Sequence, residues 1–410
     1  MSETRSELQR RYDSLRESNL TLDLTRGKPS PQQLDLSNAL LALPGVDDYR
    51  DASGTDLRNY GGTDGLLELR AIFGELLAVP AAQLLALGNA SLAIMHDTVV
   101  NALLHGVPGG SGAWRDVPDL AFLCPVPGYD RHFTICESLG IRMIPVPFVD
   151  GRLDLETIAR LVAEDPAIRG MWCVPMYSNP TGVTYTVAEV EALVAMPTAA
   201  PDFRLFWDNA YAVHHLTDDE PAVIDVLGAA AAAGHPDRPI VFASTSKITL
   251  PGAGVAFLGG SPDNVAWYRR HSAAQTIGPD KLNQLRHVRL LESADGVRRQ
   301  MRAHRAIVEP RFAAVLAILE RRLAGAATWS RPTGGYFISL DVAPRTASAA
   351  ISLAREIGVA VTPAGSTYPH GNDPLDSNIR IAPTFPSLAE LEAAIDALCT
   401  CVLLASAPAD

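Results

Sequence analysis

The chain has 410 residues, 47% apolar and 20% charged, which is ordinary for a globular protein and long enough for two or three domains. Its net charge of −12 argues against a nucleic-acid or anionic-membrane partner, so an anionic small molecule must be drawn in by a local group of cations. Five cysteines without a CxxC pair suggest neither a disulfide framework nor a zinc site; with no apolar leader before Asn19 and no bilayer-length apolar run, a cytoplasmic location is expected.

Residues 3–18 read as a charged helix, and Leu22 to Pro31 as an extended segment. From about residue 62 strands and helices alternate. Helices are expected over Gly65–Val79, from Gly88-Asn89-Ala90-Ser91 through His105, and over Arg131–Leu139, Leu155–Glu164 and Val187–Val194. The strands between them are Leu120–Pro125, Ile141–Pro147, Gly170–Pro175, Arg204–Asp208 and Pro239–Ser244. This order predicts an α/β fold with a mostly parallel sheet covered by helices on both faces.

After about residue 285 the pattern changes. A long Arg-rich helix leads to a strand at Gly334–Ile338, a helix at Ala347–Ile357, strands at Val359–Thr362 and Ile379–Ala382, and a closing helix from Ser387 to Leu404. We expect an N-terminal segment (1–50) packing with a smaller α+β domain (291–410), around a large domain (51–290). Cys399 and Cys401 read as packing residues of the last helix.

Ligands of parallel sheets sit at the carboxyl ends of strands. Polar clusters fall there: Pro125-Val126-Pro127-Gly128-Tyr129, Ser178-Asn179-Pro180-Thr181-Gly182, Asp208-Asn209-Ala210-Tyr211 and Ser244-Thr245-Ser246-Lys247. The chain has only three lysines, Lys28, Lys247 and Lys281, and arginine does not form imines usefully. Lys247 follows a strand, beside two serines able to bind phosphate oxygens. Lys281 reads as a solvated helix-start residue. Asp208 could keep a pyridine nitrogen protonated, which makes the ring an electron sink, and Tyr211 could bond the ring's 3-oxygen.

Taken in order, these marks resemble the class I/II aminotransferases, the fold-type I family of pyridoxal-phosphate enzymes. The others are Gly27 with Pro29, Asn59-Tyr60-Gly61-Gly62 with Leu69-Arg70, Gly88 to Leu92, and Asn378-Ile379-Arg380. Leu24 to Pro29 and Ser246 to Thr249 resemble an atypical aspartate aminotransferase-like subgroup. The resemblance implies that Lys247 holds pyridoxal 5'-phosphate as a Schiff base and shuttles the substrate proton, with Asp208 on the pyridinium. Asn179 and Tyr211 would contact the 3-oxygen, and Tyr129 would stack on the ring. Ala90, Ser91, Ser244 and Ser246 would hold the phosphate, the first two through amides at a helix N-terminus. Tyr60 would reach the neighbouring subunit's phosphate in a homodimer. Gly27 and Asn179 would flank the substrate, and Arg380 would grip its α-carboxylate.

One departure stands out. The family places an arginine in a Gly-x-Arg-x-Gly stretch after the lysine, whereas here Pro251-Gly252-Ala253-Gly254-Val255 has none. Either another cation substitutes or neutral donors hold the phosphate. Arg131 is the first choice for a side-chain carboxylate, which favours aspartate, glutamate and 2-oxoglutarate, with Arg26 and Lys28 as second choices. His214-His215 lacks a metal-binding pattern, since adjacent residues do not face one another, and no metal is expected. The expected reaction is ping-pong transamination. The alternatives are a lyase or decarboxylase of the same fold, or a donor of alanine, aromatic or aminoadipate type. A regulator carrying this domain is discounted, because too few residues precede Leu22 for a DNA-binding domain.

Overall fold

A computed structural model describes residues 3–25 and 27–408. Its main sheet has eight strands. In spatial order they are Leu84–Ala86, Ala256–Gly260, Pro239–Ser244, Arg204–Asp208, Ile168–Cys173, Ala121–Val126, Arg142–Val149 and Arg152–Leu153. The strands from Pro239–Ser244 through Arg142–Val149 pair in parallel, while Ala256–Gly260 and the edge strand Arg152–Leu153 run antiparallel to their neighbours. The central strands are almost wholly buried, as unbroken apolar runs must be when helices cover both faces.

Period-two alternation divides each strand between two cores. Leu123, Leu205, Trp207 and Val241 face helices that contribute Leu69, Phe73, Ile158, Val190 and Leu285. Phe122, Phe206 and Phe242 face the other side, against Ile94, Val99, Phe133 and Trp267. Asp208 follows Trp207 and so falls on the second side, where the helix Asp130–Ser138 packs.

A third core joins the N-terminal helix Arg5–Glu17, through Leu8 and Tyr12, to the helix Leu388–Ser406 and a three-stranded antiparallel sheet of Thr328–Trp329, Ile338–Asp341 and Asn378–Ile381. Leu22–Asp23 pairs in parallel with Val359–Ala360. Cys399 and Cys401 are fully buried in this core. The 30-residue helix Ala294–Leu323 serves both ends, with Val297 and Met301 in a large-sheet core and Val308 onward in the third.

The expected strand at Gly334–Ile338 is displaced. Pairing begins only at Ile338, because Gly334 and Gly335 lie against Tyr177; a Cβ on Gly334 would sit 2.3 Å from that ring. The long Arg-rich helix is Ala294–Leu323, beginning later than expected because a separate helix, Lys281–Leu291, ends where Glu292 has φ of 64°. No helix among the described residues is long and apolar enough to cross a membrane.

Candidate active site

The four strand ends open on one cavity of about 710 Å³. It is lined by Gly27, Lys28, Ala90, Ser91, Tyr129, Arg131, Asn179, Asp208, Tyr211, Ser244, Ser246, Lys247 and Arg380. Every site residue read from the sequence is therefore here except Tyr60, which is 83% exposed beside the loop Ala273–Gly278, and Arg26, which lies outside the described residues.

Lys247 Nζ lies 4.9 Å from the Tyr211 ring centroid and 5.9 Å from that of Tyr336. Burial lowers its pKa and Asp208 opposes this, so the amine gives up its proton more readily than a surface lysine. Asp208 is 3% exposed. Its Oδ2 lies 3.0 Å from His132 Nε2, while Oδ1 is buried without a partner. A buried carboxylate oxygen left bare costs free energy, so a donor from a bound group fits there. The residues thus suit a cofactor with a ring N–H.

His132 is missing from the sequence reading. Its ring stacks on Trp172 at 4.3 Å between centroids, and it is 2% exposed. The only available signal was its place in the first turn of a helix that opens at a strand end. A second missed group lies beneath Lys247. Gln33 Nε2 donates to the Tyr336 hydroxyl at 2.9 Å and lies 3.1 Å from His304 Nδ1. The Tyr336 hydroxyl is in turn 3.5 Å from the Lys247 carbonyl. His214 packs edge-on against Tyr211 and Tyr336 with both ring nitrogens buried and unpartnered, and burial holds its pKa well below the ordinary value. His215 bonds elsewhere, with Nδ1 2.7 Å from the Tyr177 hydroxyl.

Where the phosphate is expected, Ala90 caps the helix Ser91–His105 with no side chain closing its first turn, and Ser244 Oγ lies 3.0 Å from Ser246 Oγ. The carbonyls of Ala253 and Gly254, in the arginine-free stretch, are both held by Asn283 Nδ2 at 3.0 Å. At the opposite end, Arg380 Nη1 is 2.8 Å from Asp130 Oδ1 and 3.4 Å from Asn179 Oδ1. Its guanidinium lies 5.0 Å from the Phe337 ring centroid. Gly27 is required by the same ring, since a Cβ there would lie 2.4 Å from Phe337 Cζ. Arg131 lines the cavity but is exposed, and Lys28 Nζ sits 3.8 Å over the Phe385 ring.

Lys281 corrects the expectation of a solvated residue. It is 8% exposed, and its Nζ donates to the carbonyls of Asn59 at 2.9 Å and Gly61 at 2.6 Å. A buried ammonium needs such acceptors, and the turn carrying Tyr60 supplies them.

Comparison with known proteins settles the kinship. Residues 1–409 match the aspartate amino-transferase family. The chain belongs to that family. It is 60% identical over 405 residues to an aminotransferase-like protein of Mycolicibacterium smegmatis, covering 98% of this chain and 95% of the relative. It is 51% identical over 403 residues to an aspartate aminotransferase of Corynebacterium glutamicum, covering 98% and 93%. The crystal structure of an aspartate transaminase from that species superposes with a TM-score of 0.96 at 51% identity, over 98% of this chain and 95% of the other. An α-aminoadipate aminotransferase of Thermus thermophilus, solved with a phosphopyridoxyl-leucine adduct, shares the fold at 20% identity and a TM-score of 0.74, over 96% and 94%. This aspartate aminotransferase family member is a transaminase with the fold-type I architecture, and the family implies pyridoxal phosphate as its cofactor.

Proposed function

We propose that the enzyme moves an amino group between L-aspartate or L-glutamate and a 2-oxo acid such as 2-oxoglutarate, by ping-pong chemistry through Lys247. The observation that carries this reading is one cavity in which a lysine amine of lowered pKa accompanies a buried carboxylate with one unpartnered oxygen. The likeness to the aspartate aminotransferase of Corynebacterium glutamicum supports aspartate as a donor. When bound, pyridoxal 5'-phosphate supplies an aldehyde for amine exchange and a ring that draws electrons from the substrate Cα.

The chain's own residues do the rest. Asp208 Oδ1 is placed to hold a ring N–H, with His132 fixing the carboxylate from its other oxygen. Tyr129, which lines the same cavity, would stack on the ring, and Asn179 and Tyr211 would serve its 3-oxygen. Ser244, Ser246 and the amides at Ala90 and Ser91 bind the phosphate as neutral donors, in keeping with the missing arginine. Arg380 takes the substrate α-carboxylate beside Gly27 and Asn179, and Arg131 takes the side-chain carboxylate, with Lys28 as the second cation. Lys247 Nζ would take the proton from the substrate Cα and return it to the cofactor carbon that had carried the aldehyde; a positioned base of this kind contributes about 10²–10⁴-fold in rate.

The domain division at residues 50 and 290 is part of this proposal, as is a homodimer. Tyr60 and Ile277, 83% and 64% exposed, support a second copy there. The test is a single-turnover titration of the holoenzyme with amino acids and no oxo acid. Aspartate and glutamate should remove the aldehyde-form absorbance band stoichiometrically, and 2-oxoglutarate should restore it. Continuous release of ammonia or carbon dioxide instead would mean a lyase or decarboxylase.

A further inference from the structure

Arg380 is paired with a carboxylate of the chain itself. It is 7% exposed, and its closest contact is Asp130 Oδ1 at 2.8 Å from Nη1. The remaining contacts are longer, 3.4 Å to Asn179 Oδ1 and 3.5 Å from Nη2 to Thr362 Oγ1, and Nε is buried without a partner. The fork is thus half engaged, by an acidic side chain that lines the same cavity.

We infer that Asp130 is a built-in stand-in for the substrate α-carboxylate, occupying Arg380 in the free enzyme and yielding it when an amino or oxo acid binds. This rests on Arg380 being the α-carboxylate clamp. A buried guanidinium without a counter-ion is costly, and Asp130 supplies one in the absence of ligand. Nε is buried out of reach of solvent, so an incoming carboxylate meets the Nη1–Nη2 edge; a bidentate grip there needs the Nη1 that Asp130 holds, and binding exchanges one carboxylate for another. Asp130 can afford to leave. Its side chain is 31% exposed, and as the first residue of the helix Asp130–Ser138 it keeps a favourable dipole after turning to water. The exchange weakens substrate and product binding alike, since both bear the same carboxylate.

The test measures binding of propionate, a carboxylate that cannot react, to the holoenzyme by calorimetry, together with KM and kcat for aspartate. In Asp130→Asn the propionate Kd and the aspartate KM should both fall about three- to tenfold, the share of a partly exposed ion pair, while kcat rises little or declines. Asp130→Ser, which retains a helix-start side chain, should behave the same way should the first variant fold poorly. Unchanged or weaker binding in both would overturn the inference and make Asp130 a support that positions Arg380. Arg380→Ala separates the two levels. If it abolishes propionate binding, the clamp stands and the Asp130 variants decide. If it binds propionate as well as the parent, the clamp assignment fails and the inference with it.

Discussion

Arg131 is the residue on which donor choice turns. It is exposed at the start of the helix Asp130–Ser138 and lines the cavity, with no acidic partner among the described residues. A side-chain carboxylate would give it one. Replacing Arg131 with leucine should reduce kcat/KM for aspartate and glutamate by about 10- to 100-fold, the value of a charged hydrogen bond, while alanine changes by no more than about threefold. Equal losses on all three would remove Arg131 from substrate recognition. Legibility at this scale was uneven. Lys247, Asp208, Tyr211 and Asn179 could be read because each belongs to a short contiguous motif at a strand end. His132 and Asp130 could not, since their meaning comes from partners 76 and 250 positions away.

At the scale of elements, the helix Lys281–Leu291 holds the turn that carries Tyr60, because Lys281 reaches the carbonyls of Asn59 and Gly61 across 222 and 220 positions. Lys281→Met should lower the thermal midpoint by roughly 2–6 °C, as expected for a few kcal/mol in a large domain, and should loosen the proposed dimer in sedimentation at micromolar protein. A variant that matches the parent in both would show that the turn is held elsewhere. The parallel strands were legible because burial on both faces leaves unbroken apolar runs. Ala256–Gly260 was not, as its glycines carry no pattern. The strand expected at Gly334 failed because the packing of Tyr177 against two glycines overrides local propensity.

Across the whole molecule, buried histidines tie stability to pH. Burial lowers the pKa of His214 and His287 and brings His304 to about 4. His304 Nδ1 must also stay unprotonated to accept from Gln33 Nε2. An unfolded histidine binds a proton below about 6.5, so the unfolded chain takes up protons that the folded one refuses. Stability is therefore full above that pH and declines as pH falls from about 6.5 toward 4, His304 alone contributing on the order of 3 kcal/mol. Denaturant unfolding at pH 7 and pH 5 should show this decline, with a smaller one in His304→Asn; identical slopes would show that His304 is protonated in the folded state. Of the two lysines lining the cavity, Lys28 and Lys247, it is Lys247 whose amine is buried and feels Asp208, and the whole account depends on it. Borohydride reduction of the native holoenzyme followed by peptide mass spectrometry should place a phosphopyridoxyl mass on Lys247. The label on Lys28 or Lys281, or on no lysine at all, would contradict the account.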